Sequence, residues 1–187
     1  MTDTFRDHFA AHLDVAQKST SAIEAATISA GKAIVSALAS GNKVLVFGNG
    51  GSSAEASHLA EELVGRYKKT RKPFPAISLS SDSGTVTCIS NDFGYEALFE
   101  RQVEAFVRPG DIAVALTTSG KSENIVRALR CAGERGAVTI ALTGEAGIVG
   151  AEADHVIAVP SRESAIIQEV HLIVIHIWCQ MVDDFCD

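Results

Sequence analysis

Apolar residues change their spacing along the chain. From about residue 3 to 40 they recur at helical intervals. Phe5, Phe9, Leu13 and Val15 form one rough stripe, and Ile23, Ala26, Ile28, Ile34 and Leu38 continue it on a second helix. Gly41-Asn42 ends that stretch. Short continuous apolar runs then take over, at 43–47, 76–79, 111–116, 137–142 and 155–159. Helical patterns separate them: one carrying Ala56, Leu59, Ala60, Leu63 and Val64, others near 84–90 and 95–106, one reaching about 134, and a long closing helix over about 163–184. Strands apolar on both faces, alternating with helices, predict an α/β fold: a three-layer αβα arrangement around a five-stranded parallel sheet. Such sheets bind ligands at the carboxyl ends of their strands. The loops after the first three strands are therefore the informative ones.

The chain has 187 residues, a length for one domain with a sizeable core. Hydrophobic residues make up 47% and aromatics only 6%, so small and aliphatic side chains do the packing. The net charge of −7 lacks the basic footprint of a nucleic-acid binder. The one basic run, Lys68, Lys69, Arg71 and Lys72, reads as a solvated linker. Four cysteines without a CxxC, together with Trp178, are assigned to packing, and the free thiols point to a reducing, cytoplasmic setting. The N-terminus has no apolar run of the kind a signal peptide needs. Residues 165–182 are apolar but interrupted by Gln168, Glu169, His171, His176 and Gln180, which argues for a buried or interfacial helix and against a membrane span.

Candidate chemistry sits in the loops. Residues 48–53, GNGGSS, end the first strand and open a helix. Glycines there allow close backbone approach, and a helix N-terminus favours an anion. The same residues also read as a tight turn with a serine N-cap. Residues 117–122, TTSGKS, place four hydroxyls after the third strand, a phosphate-type loop or a capped helix start. His58 and Glu62 are four apart on the helix after the first loop, on one face, where they can share a metal or a proton. Glu61 beside them reads as solvated. Asn91-Asp92 reads as a sugar-hydroxyl site or as a helix C-cap. On the last helix, His171 and His176 read as core histidines or, with Gln168, as functional groups, since polar groups in an apolar helix need partners.

Taken together, GNGGSSAEASHLAEELVGRY, SNDFGYEALFERQVEAFVRPGD, TTSGKSENIVRAL, ALTGEAG and VPSRESAIIQEVHLIVIHIW resemble the sugar isomerase (SIS) family, more narrowly its phosphoheptose isomerase branch. The resemblance runs from about residue 20 to the end. It implies a flavodoxin-like SIS fold, a single SIS domain over 1–187, with 1–40 a helical oligomerisation segment and 41–187 the α/β core. It implies a homotetramer. It implies a cytoplasmic aldose–ketose isomerase acting on sedoheptulose 7-phosphate through an enediol, in bacterial heptose biosynthesis. The implied substrate contacts are Asn49, Gly50, Gly51, Ser52, Glu62, Asn91, Asp92, Thr117, Thr118, Ser119, Ser122 and Gln168. The implied zinc ligands, one zinc per active site, are His58, Glu62, Gln168 and His176, with Glu62 and His176 as acid/base groups.

Two departures stand out. Lys121 brings a positive charge into the phosphate loop, and Ala165 and Ile166 stand where some relatives carry Asp-Arg. A regulatory SIS protein that associates with the replication initiator DnaA is the non-catalytic alternative. It lacks an acidic residue at the position of Glu62 and a histidine at that of His176, and this chain has both. An isomerase for another phosphosugar is the remaining reading. Gln168 and His176 are eight residues apart, hence about 12 Å along one helix. That separation suggests that two symmetry-related helices supply one ligand each, so that active sites are shared between subunits.

Overall fold

The computed structural model describes residues 2–186. Two helices come first, α1 (Thr2–Ala22) and α2 (Glu24–Ala39). The α/β unit follows: β1 (Val44–Gly48), α3 (Gly51–Val64), β2 (Ala76–Ser78), α4 (Ser83–Phe93), a single 3₁₀ turn (Tyr95–Ala97) and α5 (Leu98–Phe106). The chain continues through β3 (Ile112–Thr117), α6 (Glu123–Glu134), β4 (Val138–Thr143), β5 (His155–Ala158) and α7 (Ser164–Phe185). The five strands are all parallel in the order β2-β1-β3-β4-β5. This is the flavodoxin-like order, whose reversal of direction falls between β1 and β3. The loops that leave these two strands are the two loops singled out in the sequence.

The continuous apolar runs are strands because both of their faces are covered. Val44, Val46, Ile112, Val114 and Leu116 point into a core shared with α2, α3 and α7. Leu45, Phe47, Ala113, Ala115 and Ala141 point to the other side, against α5 and α6. Alternate residues of one strand thus feed two cores. Helix α4 runs three residues further than its pattern suggests, so Asn91 and Asp92 lie in its last turn and Gly94, at φ 86°, ends it. Phe5, Phe9 and Leu13 of α1 are exposed in the chain, so that stripe is not core.

Helix α7 is long and apolar enough to cross a membrane by length and composition alone. Here half of its most apolar window is buried within the fold. Trp178 is fully covered and its indole donates to the Thr27 carbonyl, which pins α7 to α2. His171 is the core histidine: it is fully buried and bonded through Nε2 to the Thr143 carbonyl, while Nδ1 has no partner. Two sequence readings change. Cys88 and Cys186 are exposed and do not pack, whereas Cys179 is buried. The basic run is not a solvated linker either, because the Arg71 side chain is buried against Asp183.

Burial holds His171 neutral and lowers its pKa from 6.5 to about 4. Between those values the unfolded chain binds the extra proton, so stability is complete above pH 6.5 and falls as pH drops through 4. The stake is roughly 3 kcal/mol. The Thr143 carbonyl keeps the Val159 amide as a donor if the imidazole is removed. His171→Leu is therefore expected to fold and to lose about 2–3 kcal/mol less than wild type between pH 7 and 4.5 in urea unfolding. Equal acid losses would contradict this assignment.

Candidate functional site

The glycine loop leaves β1 at Gly48 and turns into α3 through Gly50, which sits at φ 57° and serves as N-cap without any side-chain bond. The serine N-cap reading is thus replaced by a glycine cap, and Ser53 instead donates back to the Gly50 carbonyl. The Ser52 and Ser53 amides donate back to the Asn49 and Gly50 carbonyls, and the N-terminus of α3 stands at the carboxyl edge of the sheet, where a helix dipole favours an anion. A Cβ on Gly51 would stand 2.4 Å from the Gln168 amide nitrogen. Gln168, in the second turn of α7, therefore lies directly on the start of α3.

Asn49 is held from two sides. Its side-chain amide exchanges two hydrogen bonds of 2.9 Å with the buried Asn124, the second residue of α6. Its Oδ1 also accepts from the Tyr95 hydroxyl at 2.8 Å. Asn49 thus ties the glycine loop to the start of α6 and to the 3₁₀ turn after α4. Neither Asn124 nor Tyr95 carried a sequence signal, since each is an ordinary polar residue of an amphipathic stretch. Asn91 and Asp92 are exposed at the end of α4, where Asn91 donates to Asp92 at 2.7 Å.

The phosphate-type loop is braced from below. Thr117 is buried and its hydroxyl accepts from the Gly120 amide, and the Ser119 hydroxyl accepts from Lys121 N. Gly120 adopts φ 66° and a Cβ there would meet the Gly147 carbonyl at 1.9 Å, so only glycine lets the loop lie on the loop after β4. The Thr118 and Ser164 hydroxyls are 3.0 Å apart, which joins this loop to the first residue of α7. Ser122 is the N-cap of α6 and caps nothing with its side chain. The beginnings of α3, α6 and α7 are therefore linked by contacts across one sheet edge. Their aligned amide dipoles make that edge attractive to an anion despite the chain's net negative charge.

At the other end of α3 three side chains converge. His58, Glu62 and His176 each offer a donor atom, and these atoms all lie within 4.8 Å of one another. His58 Nε2 is 3.1 Å from His176 Nε2 and 3.6 Å from the Glu62 carboxylate. Glu62 faces His58 Nε2 through its Oε1, and all three side chains are partly accessible. Two nitrogens and an oxygen converging this closely are a borderline-soft donor set that suits zinc, whose ligands stand about 2 Å from the metal. Glu61, read as solvated, is exposed, yet its carboxylate lies 3.2 Å from His58 Nδ1. A carboxylate behind one ring nitrogen fixes the orientation of the other, which faces His176 and Glu62.

Three of the four implied ligands thus come from a single chain. Gln168 stands two turns before His176 on α7 and faces the glycine loop. Sequence reasoning also missed Glu55, one turn before His58. Both of its carboxylate oxygens are buried without a hydrogen-bond partner. Burial raises its pKa from 4.5 to about 7, and the neighbouring Ser52 hydroxyl offsets part of that rise.

The SIS domain family model matches residues 4–144. Phosphoheptose isomerase of Aquifex aeolicus is 52% identical over 152 residues, covering 81% of this chain and 80% of that protein. Phosphoheptose isomerase of Maridesulfovibrio salexigens is 44% identical over 180 residues, 96% of this chain and 88% of its own. The structure of a phosphoheptose isomerase from Francisella tularensis superposes with a TM-score of 0.93 at 36% identity, and 98% of each chain is covered. Sequence, fold and strand order agree, and the chain belongs to the SIS domain family, in its phosphoheptose isomerase branch.

Proposed function

We propose that this aldose–ketose isomerase interconverts sedoheptulose 7-phosphate and D-glycero-D-manno-heptose 7-phosphate in heptose biosynthesis. The observation that carries the reading is the meeting of His176 of α7 with His58 and Glu62 on a helix, α3, whose start lies at the carboxyl edge of the sheet. The phosphate lies against Thr117, Thr118, Ser119 and Ser122, near the start of α6. The sugar chain runs toward α3, past Asn49, Gly50, Gly51 and Ser52, with Asn91, Asp92 and Gln168 offering hydrogen bonds to its hydroxyls.

Isomerisation moves one proton between adjacent carbons and one between their oxygens. Glu62 takes the proton from C1 of the ketose as the enediol forms and returns a proton to C2. His176 moves the proton between the two oxygens, and donors aimed at the developing charge stabilise it. His58, Glu62 and His176, with Gln168 as the further ligand, would hold a zinc ion, which would supply Lewis-acid polarisation of the substrate carbonyl. Glu62 has two carboxylate oxygens, so one can face the cation and the other the carbon.

We further propose a cytoplasmic homotetramer built as one SIS domain, with residues 1–40 as its oligomerisation segment. Phe5, Phe9, Leu13, Ile28, Ile173 and Ile177 are all exposed in the isolated chain. A groove of about 340 Å³ lies between α1, α2 and α7, lined by residues such as Ile23, Ile28, Val170 and Ile177. Such faces are of the kind that subunits bury. Gln168, which lies on its own chain's glycine loop, then completes with that loop a site whose His58, Glu62 and His176 come from another subunit. Four free thiols suit a reducing cytoplasm.

Incubation with sedoheptulose 7-phosphate in deuterated water is expected to give the aldose with deuterium at C2 by NMR. A chelator should suppress the reaction. Glu62→Gln should lower kcat by about 10²–10⁴-fold with the fold intact, and a rate comparable to wild type would remove Glu62 as the base. Gly51→Ala should fold but displace the Gln168 amide, and so raise KM. An unchanged KM would show that this amide does not serve the site. Mixing Gln168→Ala with Glu62→Gln under subunit exchange should restore activity if sites are shared. No recovery despite exchange, or an active monomer by light scattering, would refute sharing.

A further inference from the structure

The basic run after α3 has a structural task that its charges alone do not suggest. Arg71 is buried, with 3% of its side chain exposed, and it spends its whole guanidinium on fixed acceptors. Nη2 donates to the Glu62 carbonyl at 2.7 Å and Nη1 to the Leu63 carbonyl at 2.9 Å. A cation thereby caps the last turn of α3, where the Leu63 carbonyl also accepts from the Phe74 amide. Nε donates to Asp183 Oδ1 at 2.9 Å. Asp183, in the last turns of α7, is fully buried, and its Oδ2 accepts from the backbone amides of Lys68 and Lys69, each at 2.9 Å. One buried ion pair therefore joins the end of α3, which carries Glu62, to the end of α7, which carries His176.

The same bonds fix the backbone at residues 68–69, and so they fix Tyr67 just before it. The Tyr67 ring lies on the His176 ring with centroids 5.5 Å apart and planes 24° from parallel. The His58 ring meets the His176 ring edge-on, at 5.3 Å and 73°. Lys68 closes the arrangement from outside. Its ammonium sits 4.8 Å from the Tyr67 ring centroid and donates to Gln180, one turn beyond His176. An imidazole on a long helix can rotate about its side-chain bonds, and a metal requires one orientation of it. The flat face of Tyr67 removes that freedom. Its hydroxyl takes no part in any of these contacts.

We infer that Tyr67 is a positioning residue for His176, seated by the Arg71–Asp183 pair, and that it presets the ring for the metal. The inference rests on the metal reading above. Breaking the buried ion pair would leave a lone charge in the core and threaten the fold itself, so the test uses Tyr67. Tyr67→Leu keeps apolar packing but loses the flat face, and Tyr67→Phe keeps the face and loses the hydroxyl. Zinc affinity is measured by competition with a chromophoric chelator, and the melting midpoint is measured on the metal-free proteins. Tyr67→Leu is expected to bind zinc about 10–100-fold more weakly. Tyr67→Phe should bind as wild type does, and the metal-free midpoints of all three should agree. Equal affinity in Tyr67→Leu overturns the inference, as does an equal loss in Tyr67→Phe. A metal-free Tyr67→Leu that melts markedly lower would assign the residue to general stability and overturn it too. A wild-type chain that takes up no zinc overturns the metal reading itself, and that failure is read from the wild-type arm alone.

Discussion

The crossing of α3 and α7 is the constraint from which the site follows. Both helices bury apolar faces in one core, through Leu59 and Leu63 on α3 and Val174, Ile175 and Trp178 on α7. That burial fixes their separation and rotation to within the tolerance of close packing. His58, Glu62 and His176 lie at the seam, where polar groups need partners and find one another. The alignment of the triad is thus a by-product of hydrophobic packing. The Arg71–Asp183 pair then locks the seam at its far end, where apolar contact gives way to exposed surface.

The second half of the site owes its character to backbone more than to side-chain charge. The chain is acidic overall, yet the sheet edge gathers the starts of α3, α6 and α7. Partial positive charge from helix ends acts within the first turn, so local geometry outweighs a net charge spread over the whole surface. Glycines at 51 and 120 permit the close approaches that this gathering needs. Hydroxyls at Thr118, Ser119 and Ser122 add hydrogen-bonding groups to that edge without a dense cationic cluster.

The sheet was legible in the sequence because its strands are buried on both faces, and continuous apolar runs between turn signals mark that state. Strand order followed from the motif resemblance and not from periodicity. The i,i+4 spacing of His58 and Glu62 marked the first half of the triad, while His176 was ambiguous, since His171 looks identical in the pattern and is a core residue. What separates them is which side of α7 faces α3, a tertiary fact. The basic run was misread for the same reason. Arg71 is buried only because Asp183, more than a hundred residues later, waits for it. Glu55 was invisible because an acidic residue on an amphipathic helix is usually solvated, and here it is not.

The central claim is that His58, Glu62 and His176 of one chain form a metal centre. Crystals of the protein grown with zinc, with diffraction recorded on both sides of the zinc absorption edge, test it most directly. The account requires one strong anomalous peak per chain, at about 2.0–2.2 Å from Nε2 of both histidines and from a Glu62 oxygen. No peak there at saturating zinc, or a peak held by other residues, would contradict it.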